Sequence, residues 1–347
     1  MSEAILAIRL RALGDVVLTT PALRALHLGY PDAPIDVVTD ERYAPLLEGL
    51  PGVDRVIGLG RRPGGMRAVL AAVRARGYAR AVDFFGNPRS ALITAASRAR
   101  ETYGYDLRGR RRAYRKRVSR DPPERGVKRE YAAASHVRLA RAAGGVDDGL
   151  DARVRVPAQA RERAAGLLRE AGVLRPETAL GLVGAGTWAT KTWPASHAAW
   201  FARRLLGSDR EVLLLAGPGE EHVTETLRLL APGLAVLPPC DVPALAAVLE
   251  RLGGVVGTDS GPRHLAAALG RPTFAWFGPT HPDNWTAPDP SQGVWWTDVP
   301  CRGCNRTVCP HWVCLPELHP DRAFELVQEH FERYGRKAAD LGSAAGT

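Results

Sequence analysis

The sequence lacks a long hydrophobic segment. No apolar run reaches the ~18 residues that a membrane-spanning helix needs. The chain opens with MSEAILAIRLRALGD, in which Glu3 and Arg9 flank a short apolar stretch. This opening is more typical of a first β-strand than of a signal peptide. We therefore expect a cytoplasmic protein.

Two common nucleotide-binding signatures are also missing. The sequence has no GxxxxGK phosphate loop, and its GAGTWA stretch does not match the GxGxxG pattern of a dinucleotide-binding first βα unit. There is no repeat of fixed period either. These absences argue against a P-loop nucleotidase and against a nicotinamide cofactor.

Cysteine is scarce, with five residues in 347, yet four of the five lie in one stretch, CRGCNRTVCPHWVC. In a cytosolic protein such clustering indicates metal or redox chemistry more than a disulfide framework. Together with His311, the residues Cys301, Cys304, Cys309 and Cys314 are candidate ligands of a structural zinc ion. Reduced, half-buried thiols in a loop are the alternative.

Acidic residues are outnumbered: 47 lysines and arginines face 37 aspartates and glutamates, for a formal net charge of +10. Much of the excess lies in residues 106–130, DLRGRRRAYRKRVSRDPPERGVKRE, which we call the basic segment. Such a run favours polyanions, phosphorylated substrates or an anionic membrane surface, and a solvated basic loop is the simpler interpretation. A zinc-containing nucleic-acid-binding protein is a distant alternative, disfavoured because few aromatic residues interleave with the arginines.

Length and pattern predict an α/β protein of two domains. A chain of 347 residues is too long for one small domain, and β-type apolar runs alternate with amphipathic helical patterns, as in open parallel sheets. The break GGVDDGLD separates two such sets. We predict Rossmann-like domains over residues 1–150 and 151–320, the second with a Cys-rich loop at 300–315, then a C-terminal helix and tail over 321–347. The two domains are expected to face a central cleft.

The residues that follow the strands are the candidates for function, because ligands of such sheets bind at the carboxyl ends of the strands. The predicted strands are Ala4–Ile8, Ile35–Val38, Val53–Ile57, Ala81–Phe85, Ala179–Val183, Glu211–Leu215, Ala235–Leu237, Gly254–Val256 and Thr273–Phe277. After the first strand, Gly14 permits a tight turn and Asp15 lies near a helix start. Asp15 is either a helix cap or a carboxylate that accepts a proton from a hydroxyl.

Two loops of the second half are rich in glycine. In VGAGTWATKTWP, Gly186 lets backbone amides approach an oxyanion, and Thr187 and Lys191 add a hydroxyl donor and a positive charge. A glycine-rich turn with an exposed lysine is the alternative. In LLAGPGEEHVTE, Glu220 and Glu221 occupy the first turn of a helix, where acids suit the helix dipole. A carboxylate at this place also holds ribose hydroxyls in α/β sheets.

The stretch GTDSGPRHLAAALGRP follows a further strand. Asp259 and Ser260 precede a helix that begins at Gly261, and His264 lies on its first turn. The free amides and positive dipole end of such a helix suit a diphosphate. A purely structural cap is the alternative interpretation.

These stretches together resemble glycosyltransferase family 9, the bacterial ADP-heptose:lipopolysaccharide heptosyltransferases. The resemblance rests on LRALGDVVLTTPALRAL, the Lys-Thr-Trp-Pro segment at 191–194, GTDSGPRHLAAALGRPTFAWFGPTHPDNW and the cysteine-rich stretch. It implies a GT-B fold with the acceptor on the N-terminal domain and the nucleotide-sugar on the C-terminal one. It also implies inverting, metal-independent transfer of a heptose from ADP-L-glycero-β-D-manno-heptose. The absence of an Asp-x-Asp motif agrees with a transferase that lacks a divalent-metal clamp.

The resemblance also assigns roles to residues. Asp15 corresponds to the general base, and Lys191 to the lysine on the donor phosphates. The expected donor-binding set is Gly186, Thr187, Lys191, Glu221, Asp259, Ser260, Gly261 and His264. The expected acceptor-binding set is Gly14, Arg61, Arg62 and Arg89.

The expected partners are an ADP-sugar donor and an anionic, lipid-linked acceptor, with peripheral contact at the inner membrane leaflet. No cofactor is expected for catalysis; the zinc ion considered above would be structural. No nucleic-acid partner is expected, and the chain is expected to be a monomer. A GT-B transferase with another nucleotide-sugar or a non-lipopolysaccharide acceptor is the alternative.

Overall fold

The computed structural model describes residues 3–122, 124, 128–208 and 210–335. The chain divides after Val156 into two compact units, here called the N-terminal unit and the C-terminal unit. Residues beyond the GGVDDGLD break still pack on the N-terminal unit. The backbone N–H of Arg153 donates to Thr20 Oγ1 (2.9 Å), and that of Arg155 donates to the carbonyl of Leu46 (2.8 Å). Of the predicted C-terminal helix and tail at 321–347, residues 336–347 lie outside the described residues.

The N-terminal unit is built on a parallel six-stranded sheet. Its strands are β1 (Ile5–Ile8), β2 (Ile35–Asp40), β3 (Val53–Leu59), β4 (Arg80–Asp83), β5 (Glu101–Tyr105) and β6 (Lys116–Val118). Its helices are α1 (Leu13–Val17), α2 (Thr20–Gly29), α3 (Gly65–Arg76), α4 (Pro88–Ala96) and α5 (Ala132–Ala142). The strand order is β3-β2-β1-β4-β5-β6. This is the doubly wound order, with a topological switch point between β1 and β4.

The apolar strands explain why the sheet of this unit is covered on both faces. β1 has the sequence ILAI and is buried at all four positions, as expected when helices pack on both sides of a parallel sheet. One face packs Leu6 and Ile8 against Val69 and Val73 of α3 and Ile93 of α4. The core thus fixes the carboxyl ends of β1 and β4 side by side.

The C-terminal unit repeats this plan. Its strands are β7 (Leu180–Val183), β8 (Val212–Leu215), β9 (Ala235–Val236), β10 (Gly254–Thr258), β11 (Thr273–Phe277) and β12 (Gln292–Trp296). Its helices are α6 (Ala158–Glu170), α7 (Ala195–Leu206), α8 (Glu221–Leu230), α9 (Val242–Arg251), α10 (Gly261–Ala268), α11 (Pro282–Trp285) and α12 (Pro320–Tyr334). The order β12-β11-β10-β7-β8-β9 places its switch point between β7 and β10.

An aromatic cluster anchors the loop after β7. Trp193 is buried and lies 4.3 Å from Trp276 between ring centroids, and Phe201 packs edge-on against Trp276 at 5.5 Å. The indole N–H of Trp193 donates to the carbonyls of Leu315 (3.2 Å) and Leu318 (3.0 Å). A buried indole with its N–H bonded is held firmly, so this cluster fixes the chain immediately after Lys191.

Three strands escaped the sequence analysis: β5, β6 and β12. β6 lies inside the basic segment, where a loop was the simpler interpretation. Its Lys116 and Arg117 are exposed, and it is a strand only because it pairs with β5 at the sheet edge. Charged residues are typical of edge strands because they discourage further pairing. Among the described residues, no helix has both the length and the apolar character needed to cross a bilayer.

Candidate functional site

Two loops meet at the switch point of the C-terminal unit. β7 and β10 are neighbours in the sheet, so the loop after Val183 lies beside the turn after Thr258. Thr258 Oγ1 donates to the carbonyl of Lys191, and Lys191 Nζ donates to Asp259 Oδ2 at 2.8 Å. Two residues predicted for one site are therefore in direct contact.

Asp259 is the centre of a buried charge cluster. Thr280 Oγ1 donates to its Oδ2 at 3.0 Å, and Arg263 Nη1 and His264 Nε2 each lie 3.5 Å from its Oδ1. Burial alone raises the pKa of Asp259, but Lys191, His264 and Arg263 outweigh it and hold that pKa far below its usual range. Burial lowers the pKa of His264, with Arg263 and Lys191 adding to the effect. Two cations thus face one carboxylate and a neutral imidazole.

The mouth of α10 opens beside this cluster. Ser260 is the N-cap residue with an extended backbone (φ −155°), and α10 begins at Gly261. Among the described side chains, the Oγ of Ser260 is one of the few buried polar atoms without a hydrogen-bond partner. A helix N-terminus presents free N–H groups and positive dipole charge. The arrangement is suited to an oxyanion that accepts from Ser260 and from the helix.

Gly186 is required by the position of Lys191. A Cβ on residue 186 would lie 2.6 Å from the Cβ of Lys191, which is closer than a Cβ atom comes to any neighbouring atom. It would also lie 3.0 Å from the carbonyl oxygen of Lys191, which is a tight contact. The Gly186 N–H donates to Thr192 Oγ1 (3.1 Å) and closes the loop. Thr187 is exposed in the same loop. The loop therefore holds Lys191 in place and leaves a hydroxyl free to contact a ligand.

The loop after β8 borders a cavity of about 800 Å³. Glu221 and Thr224 of α8 line this cavity, and so do Leu237 and Pro239, which follow β9. Glu221 Oε1 accepts the Gly219 N–H (3.0 Å), which lowers the pKa of Glu221. The volume lies within the usual range of small-molecule pockets, and the wall combines apolar surface with a charged carboxylate.

The neighbouring acid, Glu220, has a different role in this loop. Its Oε2 accepts the backbone N–H of Gly217 at 2.8 Å, and burial raises its pKa. Glu220 is not among the side chains that line the cavity. Of the two acids that the sequence left open, Glu221 is therefore the one in position to contact a ligand there.

Asp15 occupies the equivalent place in the N-terminal unit, at its switch point. It lies on α1, directly after β1, and its carboxylate is 25% exposed. The Ala12 N–H donates to Oδ2 (3.2 Å), and the Arg9 guanidinium forms an ion pair with Oδ1. Arg9 is itself buried: its Nη1 donates to the carbonyl of Phe84 at 2.6 Å, just after β4. The carboxylate is thus a partial cap of α1 that Arg9 fixes in position and that remains partly exposed.

The predicted acceptor residues are spread over different strand ends. Arg61 and Arg62 are exposed after β3, and Arg89 is exposed in the first turn of α4 after β4. Since β3 and β4 are separated by two strands in the sheet, these arginines do not form one contact cluster. Gly14 is buried within α1 next to Asp15.

The basic segment contacts the carboxyl ends of β4 and β5 in the N-terminal sheet. Tyr114 Oη donates to Asp83 Oδ2 at 2.6 Å, at the end of β4. Arg120 lies over the ring of Tyr105 at 5.4 Å, and Tyr105 Oη contacts Nδ1 of the buried His136 at 2.8 Å. Burial, with Arg9 and Arg120 nearby, holds the pKa of His136 well below its usual value. The segment therefore carries exposed cations on a fixed scaffold.

Comparison with known proteins decides the family. The model of "Glycosyltransferase family 9 (heptosyltransferase)" matches residues 66–312. Lipopolysaccharide heptosyltransferase 1 of Pseudomonas aeruginosa is 30% identical to this chain, over 94% of the chain and 92% of that protein. This chain belongs to glycosyltransferase family 9.

Solved structures show the fold of this family 9 enzyme independently. A family 9 glycosyl transferase from Veillonella parvula superposes with a TM-score of 0.80 at 19% identity, over 96% of this chain and 99% of that one. The E. coli heptosyltransferase WaaC with ADP gives a TM-score of 0.71 at 23% identity, over 94% and 99%. The predictions of a glycosyltransferase and of a GT-B fold with two Rossmann-like domains are confirmed.

Two functional candidates of this glycosyltransferase were missed in the sequence. Arg9 was noted only as a charge that disfavours a signal peptide, and Arg263 was passed over inside GTDSGPRHL. Arg263 Nη2 donates to Thr286 Oγ1 (2.8 Å), and its guanidinium lies over the ring of Phe277 at 5.3 Å. Both residues could have been found from their positions in the sequence. Arg9 is a charged residue directly after a strand, and Arg263 lies four positions after Asp259.

The four clustered cysteines are free thiols. Cys301 and Cys304 are exposed, and Cys309 and Cys314 are partly buried. Among the residues that the structure describes, no three histidine, cysteine, aspartate or glutamate side chains are already arranged around a metal position. The predicted zinc ligands are taken up again below.

Proposed function

We propose that this enzyme transfers a heptose from ADP-L-glycero-β-D-manno-heptose to an inner-core lipopolysaccharide acceptor. The observation that carries the proposal is the 30% identity, over 94% of the chain, to a lipopolysaccharide heptosyltransferase 1. The charge cluster at the mouth of α10 supports it, because a nucleoside-diphosphate sugar requires a site for two phosphates and a nucleoside next to each other.

The diphosphate binds at the mouth of α10 in this proposal. Lys191 supplies a compact positive charge, Ser260 Oγ supplies a hydroxyl whose partner is missing among the described protein atoms, and the N–H of Gly261 points along the helix axis. Thr187 adds a second hydroxyl from the adjoining loop. His264 stays neutral and contacts Asp259 rather than adding charge.

The nucleoside binds in the cavity after β8. Because β10, β7 and β8 are consecutive in the sheet, this cavity follows on from the diphosphate site along the carboxyl edge. The Glu221 carboxylate accepts hydrogen bonds from the ribose hydroxyls, a role that acids fill in other doubly wound sheets. The apolar wall at Leu237 and Pro239 packs against the base.

Asp15 acts as the general base on the acceptor. It takes the proton of the acceptor hydroxyl while that oxygen forms a bond to the anomeric carbon, and the bond from that carbon to the diphosphate oxygen breaks. The electron pair leaves with ADP. Attack from the face opposite ADP inverts the anomeric configuration. A positioned base of this kind contributes about 10²–10⁴-fold in rate.

The charge that develops on the leaving ADP is stabilised by protein groups. Lys191, Ser260 and the N-terminus of α10 are fixed before the reaction, so they stabilise the developing anion without reorganising. Arg263 adds a second cation held in place by Thr286 and Phe277. In this proposal these groups take the place of a divalent metal ion.

The acceptor is an anionic, lipid-linked glycan in this proposal. Positive charge on the N-terminal unit comes from the exposed cations of the basic segment and from Arg61, Arg62 and Arg89. Gly14 directly precedes Asp15 and has no side chain that would obstruct the acceptor. The enzyme acts as a monomer at the cytoplasmic face of the inner membrane, which the basic segment contacts peripherally.

A donor screen tests the function. Purified enzyme is incubated with an inner-core acceptor lacking heptose and with ADP-heptose, ADP-glucose, UDP-sugars or GDP-sugars, and products are read by mass spectrometry. A heptose-sized mass increase with ADP-heptose alone is expected, with inversion read by NMR. Transfer from a UDP- or GDP-sugar instead would replace the donor. Transfer only to a non-lipopolysaccharide alcohol would replace the acceptor.

A further inference from the structure

The segment between β12 and α12 contains four of the five cysteines of the chain, and we call its Cys-rich loop, residues 300–315, the cysteine loop. We propose that the cysteine loop binds one zinc ion through its thiolates and that this ion steadies the segment that carries Lys191. The first part is independent of the proposed function, and the second part rests on it.

The four cysteine residues border one small cavity. Cys301, Cys304, Cys309 and Cys314 all line a cavity of about 10 Å³, together with His311. A volume of this size is close to that of a single water-sized sphere, so the cavity suits one ion and no organic ligand. Four thiols and an imidazole form the soft donor set that selects zinc over calcium or magnesium.

The backbone around the first two cysteines forms the tight turn that a paired ligand set needs. The Cys304 N–H donates to the carbonyl of Cys301 at 3.1 Å. Gly303 between them has φ +77°, a left-handed conformation that glycine adopts without strain. Structural zinc sites draw ligands in pairs from C-x₂₋₄-C spacings, and this turn is such a pair.

Ligation requires a change of rotamer. No three candidate ligands in the described residues surround a metal position as they stand, and Cys301 and Cys304 are exposed. Exposed side chains exchange freely among staggered rotamers, so both thiols have room to turn toward the cavity.

The cysteine loop has no helix or strand of its own: residues 297–319 are all described and contain neither. Two of its hydrogen bonds connect it to the donor site. Thr190 Oγ1 donates to the Arg306 carbonyl (2.7 Å), and Trp312 Nε1 donates to the Thr190 carbonyl (3.1 Å). Thr190 is buried and directly precedes Lys191.

A second contact reaches the other side of the charge cluster. The Asn305 N–H donates to the carbonyl of Pro279 at 2.8 Å, and the next residue, Thr280, donates to Asp259. The cysteine loop therefore packs on both segments that place Lys191 against Asp259. An ion that binds only the folded loop stabilises it by mass action, and the donor site becomes more rigid as a result.

Metal analysis of the full-length, tag-free protein tests the first part. Elemental analysis of the wild type and of Cys240→Ser, whose thiol lies outside the cysteine loop, is expected to show about one zinc ion per chain. The double variant Cys301→Ser/Cys304→Ser is expected to lose most of it. Sub-stoichiometric metal in the wild type, stoichiometric iron in place of zinc, or disulfides in the alkylated protein would overturn the zinc site.

Chelation of the wild type provides a test that does not depend on the variants folding. Removing zinc with phenanthroline should expose Arg302 and Arg306 to trypsin, and adding zinc back should protect them, as mapped by mass spectrometry. Cleavage that is equally fast with and without zinc would contradict the proposal. Calorimetry with ADP on the same samples tests the second part: several-fold weaker binding after chelation is expected, and unchanged affinity would separate the ion from the donor site. Neither metal content nor cleavage depends on which sugar is transferred.

Discussion

Burial shifts the pKa values of single residues in this enzyme, and neighbouring charges oppose or add to those shifts. Asp259 is buried yet ionised, because Lys191 and Arg263 supply positive charge beside it and the His264 imidazole lies next to it, whereas burial keeps His264 neutral. Arg9 is buried as well: burial lowers its pKa, and the Asp15 carboxylate opposes that shift. In each case the buried group fixes the position of a partner that is more exposed, Lys191 or Asp15.

Replacing Asp15 by Asn should separate catalysis from donor binding. The amide keeps the size of the carboxylate but cannot take up a proton, so the rate of heptose transfer is expected to fall by about 10²–10⁴-fold. ADP affinity in calorimetry should stay near the wild-type value, because the donor residues lie in the other unit. Equal losses of rate and ADP affinity would reduce Asp15 to a helix cap.

Lys191→Ala should weaken ADP binding. Loss of a charge-assisted hydrogen bond costs about 1.5–3 kcal/mol, or roughly 10- to 100-fold in affinity. Calorimetry measures this directly, with circular dichroism to show that the variant is folded, since Asp259 loses its nearest cation. Lys116→Ala, an exposed lysine of the N-terminal unit, is the matched control and should bind ADP normally. Unchanged affinity in Lys191→Ala would remove this lysine from the donor site.

The order of the strands decides which loops lie side by side at the carboxyl edge of the sheet. In the C-terminal unit, β10, β7 and β8 are consecutive, so three loops far apart in sequence lie side by side. Helix α10 then presents its positive end to the loop that holds Lys191. The short 3₁₀ turn at Ala189–Lys191 and the buried Trp193 keep that loop in place.

Gly186→Ala tests whether the loop geometry itself matters. The added methyl group would lie 2.6 Å from Lys191 Cβ, so either the loop or the lysine has to move. Overpacking of this kind costs about 1–3 kcal/mol, and we expect lower stability in urea and weaker ADP binding. Gly166→Ala in α6 is the control, because its Cβ meets nothing within 4 Å. A normal ADP affinity in Gly186→Ala would show that the loop tolerates the shift.

At this scale the sequence predicted some elements and missed others for a physical reason. Buried strands such as β1 and β7 are continuous apolar runs, which local pattern reveals. β6 carries exposed lysine and arginine, and only its hydrogen bonds to β5 define it. Ten residues separate the end of β5 from the start of β6, so the pairing that defines β6 is not visible in the residues of β6 themselves.

The buried histidines should lower the stability of the whole molecule as the pH falls below neutrality. His136 in one unit and His264 in the other have folded-state pKa values below their ordinary value of about 6.5, and burial lowers the pKa of His330 as well. At these positions the unfolded chain binds more protons below that pH, so they reduce the free energy of unfolding as the pH drops from about 7 to about 5. Burial raises the pKa of Asp83, so this carboxyl group opposes the histidines. Asp259 adds nothing in this window, because its stabilisation persists down to the usual aspartate pKa.

Urea unfolding at several pH values measures this dependence. His136→Gln should flatten it, since one of the buried histidines with a lowered pKa is gone, and glutamine can still bond Tyr105. His222→Gln, an exposed position on α8, should leave the slope unchanged. A pH dependence that is the same in His136→Gln and in the wild type would contradict the assignment of a buried neutral histidine at this position.

The sequence by itself determined the class of the protein and its separate pieces. Alternating apolar and amphipathic runs specify parallel strands and helices, and short motifs such as GTDSGPRHL mark helix mouths, because caps and glycine turns are local. Only the tertiary structure decided which pieces share a site. Strand order places the loop of Lys191 beside Asp259 and buries Arg9 against a carbonyl 75 residues away. These relations depend on pairing between strands distant in the chain, which no local pattern of residues encodes.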